Sequence, residues 1–118
     1  MGLLNGMFEA ILNLSSSTTL KEAMKTAPNN MGCYKIYIGS LKYVGKAEDG
    51  IRKRFVQYYN GTTMHYPSAR KIYENRDKIT VSWVILGSRD ACRKTEAKWI
   101  RELRPPWNKQ SGWNNRRG

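Results

Sequence analysis

Gly32-Cys33-Tyr34-Lys35-Ile36-Tyr37-Ile38-Gly39-Ser40-Leu41-Lys42-Tyr43-Val44-Gly45-Lys46 is the stretch that decides the fold. Two runs rich in Tyr, Ile and Val, a composition suited to half-buried strands, flank Gly39-Ser40. Glycine at the first of two loop positions marks a type II′ hairpin turn, because that position needs a positive φ. The turn predicts a register: Ile38 opposite Leu41, Ile36 opposite Tyr43, and Tyr34 opposite Gly45. Strand alternation then places Tyr34, Ile36, Ile38, Leu41, Tyr43 and Gly45 on one face. Tyr34 and Tyr43 become diagonal neighbours within reach of each other. Gly45, opposite Tyr34, leaves room for a ligand to approach the backbone. Paired phenols of this kind are either cross-strand packing or, with cations nearby, tools for phosphodiester chemistry.

Downstream, Asp49 or Gly50 opens a helix running to about Tyr59. Ile51, Phe55, Tyr58 and Tyr59 form its apolar stripe, with Arg54 at the edge and Lys53 pointing away. Asn60-Gly61 ends it. Pro67 begins a second helix to about Asn75, and residues 79–86 (ITVSWVIL) read as a third strand. Ser88 caps a last helix from Arg89 to Leu103, which Arg104-Pro105-Pro106 stops. Upstream, Met7, Phe8, Ile11 and Leu12 recur at helical spacing, and residues 15–18 break the pattern. Thr19-Leu20-Lys21-Glu22 has the form of a capping box, so a short helix runs to about Ala27, before the turn Pro28-Asn29-Asn30. The predicted organisation is a helical extension over residues 1–30, one domain over 31–108, and a basic tail over 109–118.

The chain has 118 residues, enough for one compact domain. Twenty-one Lys and Arg against 9 Asp and Glu leave a net charge of +12, which points first to nucleic acid. The basic residues are spread out rather than gathered beside an apolar anchor, and no apolar run is long enough to span a bilayer. The start of the chain carries Glu9 and lacks the basic opening of a signal peptide. A soluble, cytoplasmic protein with no membrane partner is expected. Two cysteines and one histidine cannot build a cysteine-rich zinc site or a His-based metal nuclease. Cys33 and Cys92 read as buried, reduced thiols.

Glu96 breaks the pattern of the last helix. It falls within a stripe of Cys92, Trp99, Ile100 and Leu103. A carboxylate on a buried face is costly unless it is paired or holds a metal. It is therefore a structural partner for an arginine such as Arg54 or a functional group. Glu102 lies off the stripe.

Gly32-Cys33-Tyr34, Tyr43-Val44-Gly45 with Lys46-Ala47, Arg54 followed by Tyr58, Glu96, and Arg104-Pro105-Pro106-Trp107-Asn108 occur in this order. Together they resemble the motifs of the GIY-YIG endonucleases, including stand-alone phage and restriction members, over about residues 31–108. Three positions depart from the pattern. Cys33 replaces the usual Ile. Gly50 reads as a one-residue insertion, which leaves Arg52 as the alternative to Arg54. Tyr58 stands where some members carry His, though the family's excinuclease group has Tyr there.

The resemblance implies a small α/β sandwich (α+β) with a three-stranded antiparallel sheet flanked by helices. It implies metal-dependent hydrolysis of DNA, leaving 5′-phosphate and 3′-hydroxyl ends. Glu96 would hold one Mg²⁺ (or Mn²⁺), and Arg54 would stabilise charge on the phosphorane. Tyr34 would act as general base or position water, its phenol pKa lowered by Lys46, Arg54 and the metal. Tyr43 would bond Tyr34 or hold the phosphate, Tyr58 would support them, and Asn108 would tie the following chain back to the site. Gly32 and Gly45 belong to the motifs. Arg52, Lys53, Arg70, Lys71, Arg93, Lys94 and Lys98 read as a phosphate-binding face, joined by Trp113, Arg116 and Arg117 in the tail. His65 reads as a surface loop residue. The alternative is a non-catalytic nucleic-acid-binding module, and the apolar N-terminal residues would also suit a docking or dimer surface. RNA stays open as a substrate. With no second domain for sequence reading, low or modest specificity is expected unless an oligomer or accessory partner supplies it, with a nick as the minimal product.

Overall fold

The computed structural model describes residues 14–108. Among these residues, four strands and four α-helices follow in the order β1 (Thr18–Thr19), α1 (Leu20–Thr26), β2 (Gly32–Ile38), β3 (Ser40–Ala47), α2 (Ile51–Asn60), α3 (Pro67–Glu74), β4 (Thr80–Ile85) and α4 (Arg89–Leu103). A 3₁₀ turn, Arg76–Lys78, precedes β4. The sheet is antiparallel, in the order β1-β4-β2-β3, with four strands rather than the expected three. The extra strand is Thr18–Thr19, pairing with Val81 and Thr80. Those residues were expected to break or begin a helix, and a two-residue strand is too short to carry an alternating pattern. The expected helix over Met7–Leu12 and the tail residues Trp113, Arg116 and Arg117 lie outside the described residues.

Residues 18–27 are integral to the packing. Thr19 Oγ1 accepts the Glu22 N–H at 3.0 Å and starts α1. Leu20, Ala23 and Ala27 are fully buried with Ile51, Phe55 and Ile72, beneath Tyr34, Ile36 and Val81 of the sheet. This core lies under α1, α2 and α3. On the other face α4 places Cys92 and Trp99 against Cys33, Val44 and Val84. Burying each large aliphatic or Phe side chain contributes about 1.5–3 kcal/mol. The Cys33 thiol donates to the Cys92 carbonyl at 3.2 Å, and both cysteines are buried and free.

The hairpin register corrects the expectation at its tip. Tyr34↔Gly45 and Ile36↔Tyr43 pair as predicted, but Tyr37 pairs with Leu41 and Ile38 with Ser40. The turn is tighter, with Gly39 alone at φ 73°, and Lys42 is an extra, unpaired residue. Such a bulge reverses the side-chain alternation beyond it. Leu41 accordingly packs with the α4 cluster rather than with Tyr34, Ile36 and Ile38.

The helix stops follow their sequence signals. Gly61 (φ 73°) closes α2 with its N–H on the Gln57 and Tyr58 carbonyls, and Ser88 Oγ accepts the Ala91 N–H at 3.0 Å. In α4 the stripe is Cys92, Thr95 and Trp99. Leu103, expected on it, is 45% exposed. Glu96 is half-buried at the stripe's margin. Thr95 was missed because its hydroxyl masks an otherwise compact side chain.

Candidate active site

β3 is an edge strand, and its outward backbone groups build the site. Lys42 O accepts the Trp107 N–H at 2.8 Å. Val44 exchanges two hydrogen bonds with the Asn108 side chain, N–H to Oδ1 and Nδ2–H to C=O, each 2.9 Å. Arg54 Nη1 donates to Lys46 O at 3.3 Å, and both residues line the cleft that Glu96 enters. Alternate residues of β3 thus meet partners that are not strands, and the last anchors the arginine of the cleft.

Tyr34, Tyr43, Lys46, Arg54 and Glu96 converge on one polar cleft of about 280 Å³. Glu48 and Asp49, which sequence reading missed, also line it. As an acidic pair just before α2 they look like ordinary N-terminal helix residues. Glu48 sits amid cations, with Lys46 Nζ at 3.8 Å, Arg93 Nη1 at 3.7 Å and Arg89 Nε at 3.9 Å.

Tyr34 is fully buried. Its hydroxyl shares a 2.5 Å hydrogen bond with that of Tyr58, whereas Tyr43 packs at a ring-centroid distance of 6.3 Å. The phenols therefore form a triad in which Tyr58 is the direct partner. Phe55 meets the Tyr34 ring edge-on at 5.5 Å and fixes it. Gly45 does not leave room for a ligand: a Cβ there would lie 2.3 Å from Tyr34 Oη, so the tyrosine fills that space. Gly32 is needed for a similar reason, because its Cβ would lie 2.0 Å from Val84 O.

Burial pushes the Tyr34 phenol well above its ordinary pKa, and the neighbouring Tyr58 and Tyr43 reinforce this. Arg54 opposes the shift without overcoming it, which reverses the expected lowering. Tyr43 is raised too, mainly by burial. The Glu96 carboxyl is raised by burial, with Lys46 pulling it down and Glu48 pushing it up.

Arg54 and Arg52 have different surroundings. Arg52 Nε donates to Ala27 O at 2.7 Å, joining α2 to the end of α1, whereas Arg54 faces the cleft. Lys53 and Arg70 are exposed. Lys94 pairs with Asp90 at 3.2 Å, and Lys98 with Glu102 at 2.7 Å. Lys71 lies 5.8 Å from the Trp107 ring centroid, and His65 is exposed beside Tyr66.

The donors in the cleft are carboxylate oxygens, suited to a hard cation. Among the described residues, no three His, Cys, Asp or Glu side chains gather as a closed metal cage. Glu96 on an open polar cleft fits an ion that keeps much of its water, as Mg²⁺ does.

No protein-family profile matches the chain. The chain is 33% identical over 87 residues to UvrABC system protein C of Brucella abortus (strain 2308), covering 72% of this chain and 14% of that protein. It is 35% identical over 94 residues to UvrABC system protein C of Mycoplasma pneumoniae (strain ATCC 29342 / M129 / Subtype 1), covering 78% and 15%. The chain thus spans about one-seventh of the length of these curated relatives. Among solved structures, the GIY-YIG N-terminal endonuclease domain of UvrC from Thermotoga maritima matches in several forms. A tyrosine-to-phenylalanine mutant bound to its catalytic divalent cation gives a TM-score of 0.62 at 23% identity, covering 77% of this chain and 96% of that one. The magnesium-bound form gives 0.60 at 22%, covering 75% and 94%. The chain has the fold of the GIY-YIG N-terminal endonuclease domain and is similar in sequence to UvrABC system protein C.

Proposed function

We propose that the chain is a divalent-metal-dependent DNA endonuclease that hydrolyses a phosphodiester to 5′-phosphate and 3′-hydroxyl ends. The observation carrying this reading is the convergence of Glu96 and Arg54, with Tyr34, Tyr43 and Lys46, on one polar cleft in which Lys46 O holds Arg54. Glu96 would hold Mg²⁺ or Mn²⁺, which supplies positive charge for the scissile phosphate and the leaving oxygen. Arg54, oriented by Lys46 O, stabilises negative charge that grows on the phosphorus oxygens in the transition state. A neutral Tyr34 hydroxyl, bonded to Tyr58, orients the attacking water. It takes the water's proton only where added positive charge in the cleft draws its pKa down. Tyr43 holds the phosphate, and Asn108 fixes the strand that carries Tyr43.

Net charge +12 supports DNA as the partner, with exposed Lys53 and Arg70 contacting phosphates. One carboxylate site per chain supports a single-strand nick of low or modest specificity as the minimal product, in an intracellular, cytoplasmic setting. Among the described residues no helix is long and apolar enough to cross a membrane. The deciding experiment is supercoiled-plasmid nicking with Mg²⁺ against chelator. Glu96→Gln should abolish nicking and leave DNA binding intact. A variant that cuts as well as the parent overturns the reading, and a parent that binds but never cuts favours a non-catalytic binding module.

A further inference from the structure

A second cavity of about 560 Å³ adjoins the carboxylate cleft and shares Tyr43 and Arg54 with it. Its volume falls in the range of small-molecule sites, about 300–1,000 Å³. The aromatic walls are Tyr43, Tyr58, Tyr66 and Trp107, and the side-chain amide of Gln57 and hydroxyls of Thr63 and Ser68 stand among them. Arg54 is the one charged residue of the lining, which contains no carboxylate.

We infer that this cavity receives the base of an unstacked nucleotide adjoining the phosphate held in the carboxylate cleft. The inference rests on the endonuclease reading for the placement of that phosphate. Three observations carry it. A phosphate between Tyr43 and Arg54 lies on the wall common to both cavities, so an attached nucleoside has the second one beside it. Rings flanking a slot that also holds amide and hydroxyl groups match a base, which offers a π-face and a polar edge. Tyr66 is 60% exposed at the start of α3, an aromatic surface left open at the cavity's rim, with the His65 ring centroid 4.2 Å away. An acidic or purely apolar ligand fragment fits less well: the first would meet one cation only, and the second would strand Gln57, Thr63 and Ser68 away from water.

The chemistry calls for a substrate in which one nucleotide leaves the stack, which costs least in single-stranded, mismatched or damaged DNA. The test uses the full chain without metal, so that it reads binding and not cleavage. 2′-Deoxyadenosine 5′-monophosphate and deoxyribose 5-phosphate are titrated separately and followed by ¹H–¹⁵N NMR. The nucleotide should shift the resonances of Gln57, Thr63 and Ser68 and bind at least about fivefold more tightly than the sugar phosphate, the smallest gain expected of one stacked base. Tyr66→Ala and Gln57→Leu should each shrink that difference, and Glu96→Gln should keep it. Equal affinity for the two ligands, or shifts confined to residues around Glu96, overturns the inference. Loss of plasmid nicking with the base preference intact counts against the endonuclease reading alone.

Discussion

Replacing Asn108 by Ala removes both hydrogen bonds to Val44 at once, and their cost follows from the local geometry. The two bonds are each 2.9 Å, Asn108 is 1% exposed, and Val44 is fully buried. Each bond contributes about 0.5–1.5 kcal/mol net, and a buried backbone group left unpaired costs about 1–3 kcal/mol. Water reaching the strand edge recovers part of the second term, so Asn108→Ala should lose about 2–4 kcal/mol. For a domain of this size that lowers Tm by about 10–25 °C. Urea unfolding should show an earlier midpoint with an unchanged slope, because the surface exposed on unfolding barely changes. Amide exchange should single out Val44, whose N–H loses its acceptor. Asn108→Asp keeps an acceptor for that N–H but, when ionised, cannot donate to Val44 O. Its native-state carboxyl would be raised above the unfolded value, so its stability deficit should be greatest at neutral pH and shrink as pH falls through the raised value. If Asn108→Ala melts within about 2 °C of the parent and Val44 stays protected, the side chain is not what closes this strand edge.

Gly45→Ala would force a Cβ to 2.3 Å from Tyr34 Oη, and overpacking of this kind costs about 1–3 kcal/mol; the Tyr34–Tyr58 bond should break and nicking should fall with it. Arg54→Ala should reduce the nicking rate by about 10²–10³ with little loss of stability. Arg52→Ala should lose about 1 kcal/mol of stability, through its bond to Ala27 O, and still cut. The opposite pattern in the nicking and thermal-melt data would exchange their roles. Because burial raises the Glu96 carboxyl, the native state holds that proton more tightly than the unfolded chain does. Its ionisation therefore disfavours folding at neutral pH, and the penalty disappears as pH falls below the unfolded carboxyl value. Metal-free Glu96→Gln should melt several degrees above the parent at neutral pH and lose that advantage in acid, whereas equal melting at both pH values refutes the burial argument.

The hairpin was legible because its strands are long, alternate cleanly and meet at a glycine turn. Glu96 was legible because a carboxylate stands among apolar residues at helical spacing, although it lies at the margin of the stripe that is buried. Period and polarity are local signals, and both survive without knowledge of the partners. The Lys42 bulge was not legible, since one extra residue changes neither composition nor the apparent length of the strand. Thr18–Thr19 gains its strand character only from Val81 and Thr80, more than sixty residues away. The partner of Tyr34 was also misjudged: a flat two-strand picture points to Tyr43, but the hydroxyl reaches out of the sheet to Tyr58 on α2. Burial then dominates the phenol's electrostatics, an effect of depth that neighbouring cations in the sequence do not reveal.

The bulge and the site are connected through the edge of β3. An exposed edge strand invites pairing with another chain, and proteins usually blunt it with charges, bulges or a covering segment. Here the bulge frees Lys42 O for Trp107, two residues on the backbone of Val44 is taken by Asn108, and two further on Lys46 O receives Arg54, in the cleft that Glu96 lines. Closing the edge and assembling the cleft are therefore one arrangement of hydrogen bonds. Asn108 needs to follow α4 at a short distance for this to work, because α4 presents Glu96 to one end of the strand and the turn after Pro106 brings Trp107 and Asn108 to the other. The twelve-residue interval between Glu96 and Asn108 is then a structural requirement. It is the distance along the chain from the residue that shares the cleft with Lys46 to the residue that clamps Val44, and lengthening it would loosen the edge and the cleft together.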